Sequence, residues 1–105
     1  MKFLCLAYLD RGLAPGPDVA AQYGDLGQAM RAAGVAVDSG QLAAPTDAKV
    51  VRITDEGVQV TDGSPDDRAP SAYFVIDCAD LPQALEWAAR IPAATYGSIA
   101  VRPPR

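Results

Sequence analysis

Ser71-Ala72-Tyr73-Phe74-Val75-Ile76-Asp77-Cys78-Ala79-Asp80-Leu81-Pro82-Gln83 is the stretch that decides the fold of this chain. Ser71 to Cys78 is dense in aromatic and β-branched side chains, which suit a pleated surface and predict a strand. Asp80 stands three residues before Gln83, the spacing of a capping box, so a helix starts directly after the strand. Pro82 is tolerated in a first helical turn. Leu81, Ala84, Leu85 and Ala88 make the predicted buried stripe, with Trp87 and Ile91 as a second line beside it. Pro92 stops the helix, and Gly97 to Arg102 is a closing strand.

Working upstream, Ala48 to Thr54 and Val58 to Thr61 are two β-branched runs around Asp55-Glu56-Gly57, a hairpin signal. Val60-Thr61-Asp62-Gly63-Ser64-Pro65 then runs from strand into an Asp-Gly turn, and Asp62 to Pro70 reads as a loop of turn formers. Val35 to Leu42 is a short, irregular strand. Asp18 to Ala33 changes period: Val19, Tyr23, Leu26, Met30 and Ala33 form one helical stripe, with Asp18 as N-cap and Gly34 just past the end. Gly24 and Gly27 weaken that helix by roughly 1 kcal/mol each relative to Ala, or let another backbone approach closely. Lys2 to Tyr8 is apolar on both pleat faces, the pattern of a strand covered on both sides.

The element order is therefore strand, helix, strand, hairpin, strand, helix, strand. Removing the hairpin leaves β-α-β-β-α-β, so an α+β, ferredoxin-like sheet with an inserted β-hairpin is expected. Two helices cover one face of such a sheet. A second subunit is expected on the other face, because the strands are apolar on both.

Composition narrows the function classes. The chain has 105 residues, a length that makes one domain over 1–105. Nine Lys+Arg against thirteen Asp+Glu give a net charge of −4, and no basic run is present, which argues against nucleic-acid binding. The apolar run at Met1 to Leu9 is too short for a signal peptide, and nothing approaches the ~20 apolar residues of a membrane helix. A cytoplasmic protein is expected, with Cys5 and Cys78 as buried, reduced thiols. With no histidine, imidazole chemistry at neutral pH is excluded. No metal and no cofactor is expected, since the cysteines lie far apart, Asp66-Asp67 reads as a loop pair and no phosphate-binding glycine loop is present.

The remaining chemistry rests on seven residues. Asp62 is either a turn residue that accepts amide hydrogen bonds or a general base or ligand anchor. Asp77 and Arg102 read as a structural ion pair; alternatively Arg102 faces a cavity and holds an anion bidentately, with Arg52 competing for that role. Tyr8 and Tyr73 either pack in the core and interface or line a pocket between the sheet and the first helix, with Asp10 near its mouth.

Three pieces of the chain resemble the YCII-related family, specifically its DGPF-domain branch. Met1 to Tyr8 resembles the family's opening strand. Val60-Thr61-Asp62-Gly63-Ser64-Pro65 lies where members typically read Val-Thr-Asp-Gly-Pro-Phe. Ala72 to Ala89, with Tyr96-Gly97-Ser98 and Val101-Arg102-Pro103, resembles the later strand, helix and closing strand. The resemblance implies a dimeric α/β barrel, in which two ferredoxin-like sheets pack through their helix-free faces. It implies a small-molecule role for the homodimer, and the DGPF branch is often associated with extracytoplasmic-function sigma factors. Two departures stand out. Ser64-Pro65 replaces the Pro-Phe half of the signature. The His–Asp pair proposed for YCII proteins has no counterpart here. The expectation is thus a homodimer binding a small, anionic molecule, or an enzyme without histidine chemistry. The alternative is a non-catalytic interaction module that serves a sigma factor.

Overall fold

A computed structural model describes residues 1–10, 16–63 and 69–105. Strand β1 (Lys2–Leu9) sets the layers. Its side chains alternate, so Phe3, Cys5 and Ala7 point to one face and are at most 1% exposed. Leu4, Leu6 and Tyr8 point to the other face and are only partly covered.

The helix α1 (Val19–Ala32) follows β1 in the chain. Leu26 and Met30, one turn apart, bury into the core. Asp18 occupies the N-cap position, but its side chain caps nothing; its backbone carbonyl accepts from the Gln22 amide at 3.0 Å. The other end matches the sequence closely. Gly34 takes φ +74, and the amides of Gly34 and Val35 donate to the carbonyls of Arg31 and Met30. That is a Schellman closure, and it turns the chain into β2 (Ala36–Gln41).

Next come the hairpin strands β3 (Lys49–Thr54) and β4 (Gly57–Asp62), then β5 (Ala72–Asp77). The helix α2 (Leu81–Ala88) begins as the sequence predicts, with the Asp80 carboxylate accepting from the Gln83 amide at 3.0 Å. Gln83 reaches back and accepts from the Ala79 amide at 2.7 Å. A single-turn helix α3 (Ala93–Tyr96) leads into β6 (Gly97–Arg102).

Four strands form one antiparallel sheet in the order β2-β5-β1-β6. The β2–β5 register slips between Ala36 and Asp38, a bulge in the edge strand. Among the described residues, strands β3 and β4 pair only with each other. Among the described residues the fold is α+β, with antiparallel strands, three α-helices and one turn of 3-10 helix at Pro45–Asp47.

The core lies between the sheet and its single helical layer. Phe3, Cys5, Ala7, Ala72, Phe74 and Ile76 meet Leu26, Met30, Ala84, Ala88 and Ile91. The stripe expected on α2 is corrected here. Ala84 and Ala88 are buried, with Ile91 behind them and Trp87 packed against the core. Leu81 and Leu85 are 41% and 50% exposed. Positions 84, 87, 88 and 91 follow the i, i+3, i+4, i+7 spacing, and the small alanines let the helix sit close to the sheet. The Arg90 guanidinium covers the Trp87 ring, 4.6 Å from its centroid.

Both cysteines are free and buried, as the sequence predicts. Burial, and secondarily the neighbouring Cys78 thiol, push the Cys5 pKa from 9.0 to about 11. In the unfolded chain this thiol ionises from pH 9, whereas in the folded chain it keeps its proton to about pH 11. Its contribution is therefore fully present below pH 9 and is lost as the pH rises to 11. Denaturant melts should show stability falling by about 2–3 kcal/mol across that window. In Cys5→Ala the slope should be clearly shallower, and an unchanged slope would mean the thiol is not the cause.

Candidate functional site

One face of α1, from Val19 to Arg31, stands off from the ends of β1, β2 and β5. A cleft of about 680 Å³ opens between them, well inside the size range of small-molecule sites. Its walls are largely apolar, with Leu9, Val19, Ala20, Leu42 and Phe74 among them. Tyr23 lies parallel to Phe74, with ring centroids 6.2 Å apart and planes within 7°.

The polar groups are few and placed around these walls. Tyr96, the last residue of α3, turns its hydroxyl toward the Gly16 amide, which donates to it at 3.4 Å. Ser71 donates its hydroxyl to the Ala7 carbonyl at 3.2 Å. Ser39 and Gln41 enter from β2. Burial raises the Tyr23 pKa and the neighbouring Tyr96 adds to the rise, while the Ala93 amide works against both. The Tyr23 hydroxyl is therefore a neutral hydrogen-bonding group throughout the physiological range.

Arg31 supplies the charge. It lies in the last turn of α1 and folds back over Gly27, where its Nη1 would sit 3.2 Å from a Cβ. The ion pairs among the described residues are Met1–Asp77 and Lys49–Asp62, so no described carboxylate pairs with Arg31, which is exposed. No aspartate or glutamate lines the cleft among the described residues.

The glycines of α1 help to shape this space. Nothing lies within 4 Å of a Cβ placed on Gly24, and Gly24 and Gly27 both line the cleft. The close backbone approach considered for them is absent; they leave open volume and room for the Arg31 side chain. Tyr23, Gly27 and Arg31 are four residues apart, so they share one helix face.

The residues singled out from the sequence fall elsewhere. Tyr8 and Tyr73 do not line the pocket beside α1. They project from the opposite sheet face, because the alternate residues Ala7, Ala72 and Phe74 take the helix side. Tyr73 covers Gly40 across the β2–β5 pair, so close that a Cβ there would lie 2.8 Å from the ring.

Asp77 and Arg102 share that same open face but form no ion pair with each other. Asp77 stands opposite Lys2 and Arg102 opposite Leu4 on β1. The Asp77 carboxylate binds the Met1 ammonium at 2.9 Å instead. Asp62 closes the base of the hairpin, where it pairs with Lys49 in an exposed setting. Arg52 is exposed on the hairpin, opposite Gln59. Among the seven, Asp10 alone adjoins the cleft: it follows Leu9, and its amide donates to the Tyr96 carbonyl at 3.2 Å.

The cleft residues Tyr23, Arg31, Ser39 and Tyr96 thus escaped the sequence reading. For α1 a signal existed, since two glycines inside a helix are costly unless the space is used. For Ser39 and Tyr96 it did not, because only the tertiary fold brings them alongside α1. Among the described residues no group of three or more Cys, Asp or Glu could hold a metal ion. No helix among them is long and apolar enough to cross a membrane. No family model matches the chain, and no curated protein does.

Proposed function

We propose that this chain is a small-molecule binding protein that takes an apolar ligand bearing one anionic group into the cleft beside α1. The observation that carries this is Arg31, a cation paired with no described carboxylate, at a 680 Å³ cleft whose walls are largely apolar and aromatic. An anion there gains a charge-assisted hydrogen bond from the guanidinium, and the Tyr23 and Phe74 rings supply a stacking wall. Ser39 and Tyr96 add neutral polar partners.

The strand order β6-β1-β5-β2, antiparallel throughout, is the order that ferredoxin-like folds use and supports that reading of the topology. The half-covered face of Leu4, Leu6, Tyr8, Tyr73 and Val75 supports a homodimer packed through it, as the YCII-related resemblance implies. On that reading Arg102 and Asp77 belong to the dimer interface rather than to the ligand site. The sigma-factor alternative, an interaction module, draws on Leu81 and Leu85, which α2 leaves exposed. Retention of a sigma factor on the immobilised chain, abolished by Leu85→Asp, would favour it.

Fluorescence titration with 8-anilinonaphthalene-1-sulfonate, an apolar aromatic anion, tests the cleft. Arg31→Ala should weaken it about tenfold, the cost of one charge-assisted hydrogen bond. Gly24→Leu should abolish binding while raising the melting temperature, since Leu is a better helix former than Gly. Binding that is indifferent to both changes would place the probe outside the cleft.

A further inference from the structure

The cleft beside α1 has two unlike ends, and the helix gives their direction. Tyr96 stands at the start of α1. The Gly16 amide donates to its hydroxyl at 3.4 Å, and the Asp10 amide donates to its carbonyl at 3.2 Å. Tyr96 therefore bridges the start of α1 and the end of β1 across that end of the cleft. Arg31 stands in the last turn of α1, just before the chain turns into β2. It is exposed, so this end opens to water.

Charge follows the same direction. Arg31 is the one charged side chain among the described lining residues. A single guanidinium matches a planar head of one negative charge, a carboxylate, which it can hold bidentately. A phosphate monoester brings nearly two charges and asks for more cations. Between the ends the wall is apolar. Leu9 and Leu42 line it and are each 44% exposed. The Tyr23 and Phe74 rings stack on one another with planes within 7°, so they form a continuous wall with no slot for a further ring between them.

Two separate measures give the length. The Arg31 guanidinium lies beside Gly27, and the helix from Val19 to Gly27 rises about 12 Å. Across the sheet, the lining runs from Tyr96, next to β6, past Leu9 on β1 and Phe74 on β5 to Ser39 on β2. Three strand spacings of ~4.8 Å make about 14 Å. An extended decanoate tail has that length.

We infer that the cleft takes a medium-chain carboxylate lengthwise, with its head on Arg31 at the open end and its tail along α1, and that Tyr96 sets the longest tail accepted. This names the ligand class for the binding function proposed above and rests on it. Burial of each methylene then adds to affinity until the tail meets Tyr96, and further methylenes add nothing.

Displacement of bound 8-anilinonaphthalene-1-sulfonate by straight-chain carboxylates tests this, from butanoate to hexadecanoate, each below its micelle concentration. Affinity should rise about fourfold per methylene and break off near decanoate. Ala20→Leu, an exposed position one turn from Gly24 toward Tyr96, should move the break to shorter chains. Tyr96→Ala should move it to longer ones. Arg31→Ala should weaken every chain length by the same factor, about tenfold, and leave the break in place. A rise without a break, or a break unmoved in Ala20→Leu, would overturn the inference. So would an Arg31→Ala loss confined to long chains, which would place the head elsewhere. If the probe needs Arg31 and an open Gly24 but no carboxylate displaces it, the inference falls and the binding function stands. If the probe is indifferent to Arg31→Ala and Gly24→Leu, both fall.

Discussion

Gly97→Ala is expected to be severely destabilising. Gly97 begins β6 and stands opposite Leu9 in the β1–β6 ladder. A Cβ at this position would overlap the backbone carbonyl oxygen of Tyr8, with the Tyr8 carbonyl carbon at 2.8 Å and the Leu9 Cα at 2.9 Å. These are main-chain atoms of the central strand, not the end of a flexible side chain. They cannot retreat without breaking the β1–β6 hydrogen bonds or moving Phe3, Cys5 and Ala7 in the core. The cost should exceed about 3 kcal/mol, a large part of the 5–15 kcal/mol that stabilises a typical domain. Urea melts would read it as a sharply lowered midpoint, or as no cooperative transition at all. Gly24→Ala is the matched control, for nothing lies within 4 Å of the added methyl. That variant should gain up to about 1 kcal/mol from helix propensity. Wild-type stability in Gly97→Ala would show that the junction between α3 and β6 can shift.

Phe3→Ala should cost about 3–5 kcal/mol, the usual range for emptying a buried aromatic site. Phe3 is 1% exposed and lies opposite Ile76, which is also 1% exposed, at the centre of the sheet's helix side. Several residues of the same core, Cys5, Ala84 and Ala88 among them, are small. Small side chains such as these cannot swing in to fill the space, which favours a persistent cavity. Phe3→Leu should recover much of the loss, because it keeps most of the volume. By contrast Leu4→Ala, next in sequence but on the open face, should cost less than half as much in the monomeric chain. Equal losses at positions 3 and 4 would mean that the two sheet faces are equally covered in solution.

The contrast between Phe3 and Leu4 also shows how far this chain can be read from its sequence. Both are large and apolar, so the sequence reveals a strand with two apolar faces but not which face the helices take. The termini of elements were more legible than their orientation. Asp80 and Gln83 mark the start of α2, and Gly34 marks the end of α1, because capping depends on a few local hydrogen bonds. The facing of α2 was harder to read, since Leu81 and Leu85 compete with Ala84 and Ala88 for the buried side. Close approach of helix to sheet favours the small pair, and that is a tertiary effect. The cleft was the least legible part. Tyr23 and Arg31 come from α1, Ser39 from β2 and Tyr96 from α3, residues separated by up to 73 positions. Their meeting depends on the sheet order, which places β2 and β6 on opposite edges of the sheet.

The bulge between Ala36 and Asp38 bears on how such molecules avoid fibrils. A smooth outer strand offers its unpaired amides and carbonyls to any passing strand, and one such addition exposes another edge. Here β2 breaks its own register, which spoils the repeat that an incoming strand would have to match. At the opposite border, β6 runs into Pro103-Pro104, two residues with no amide proton to give. Both borders thus carry a feature that hinders growth sideways. Association through the flat of the sheet is self-limiting, because the surface is consumed by the first partner and no equivalent one is created. A chain with this much uncovered aliphatic surface can thereby form a finite assembly rather than an open-ended one.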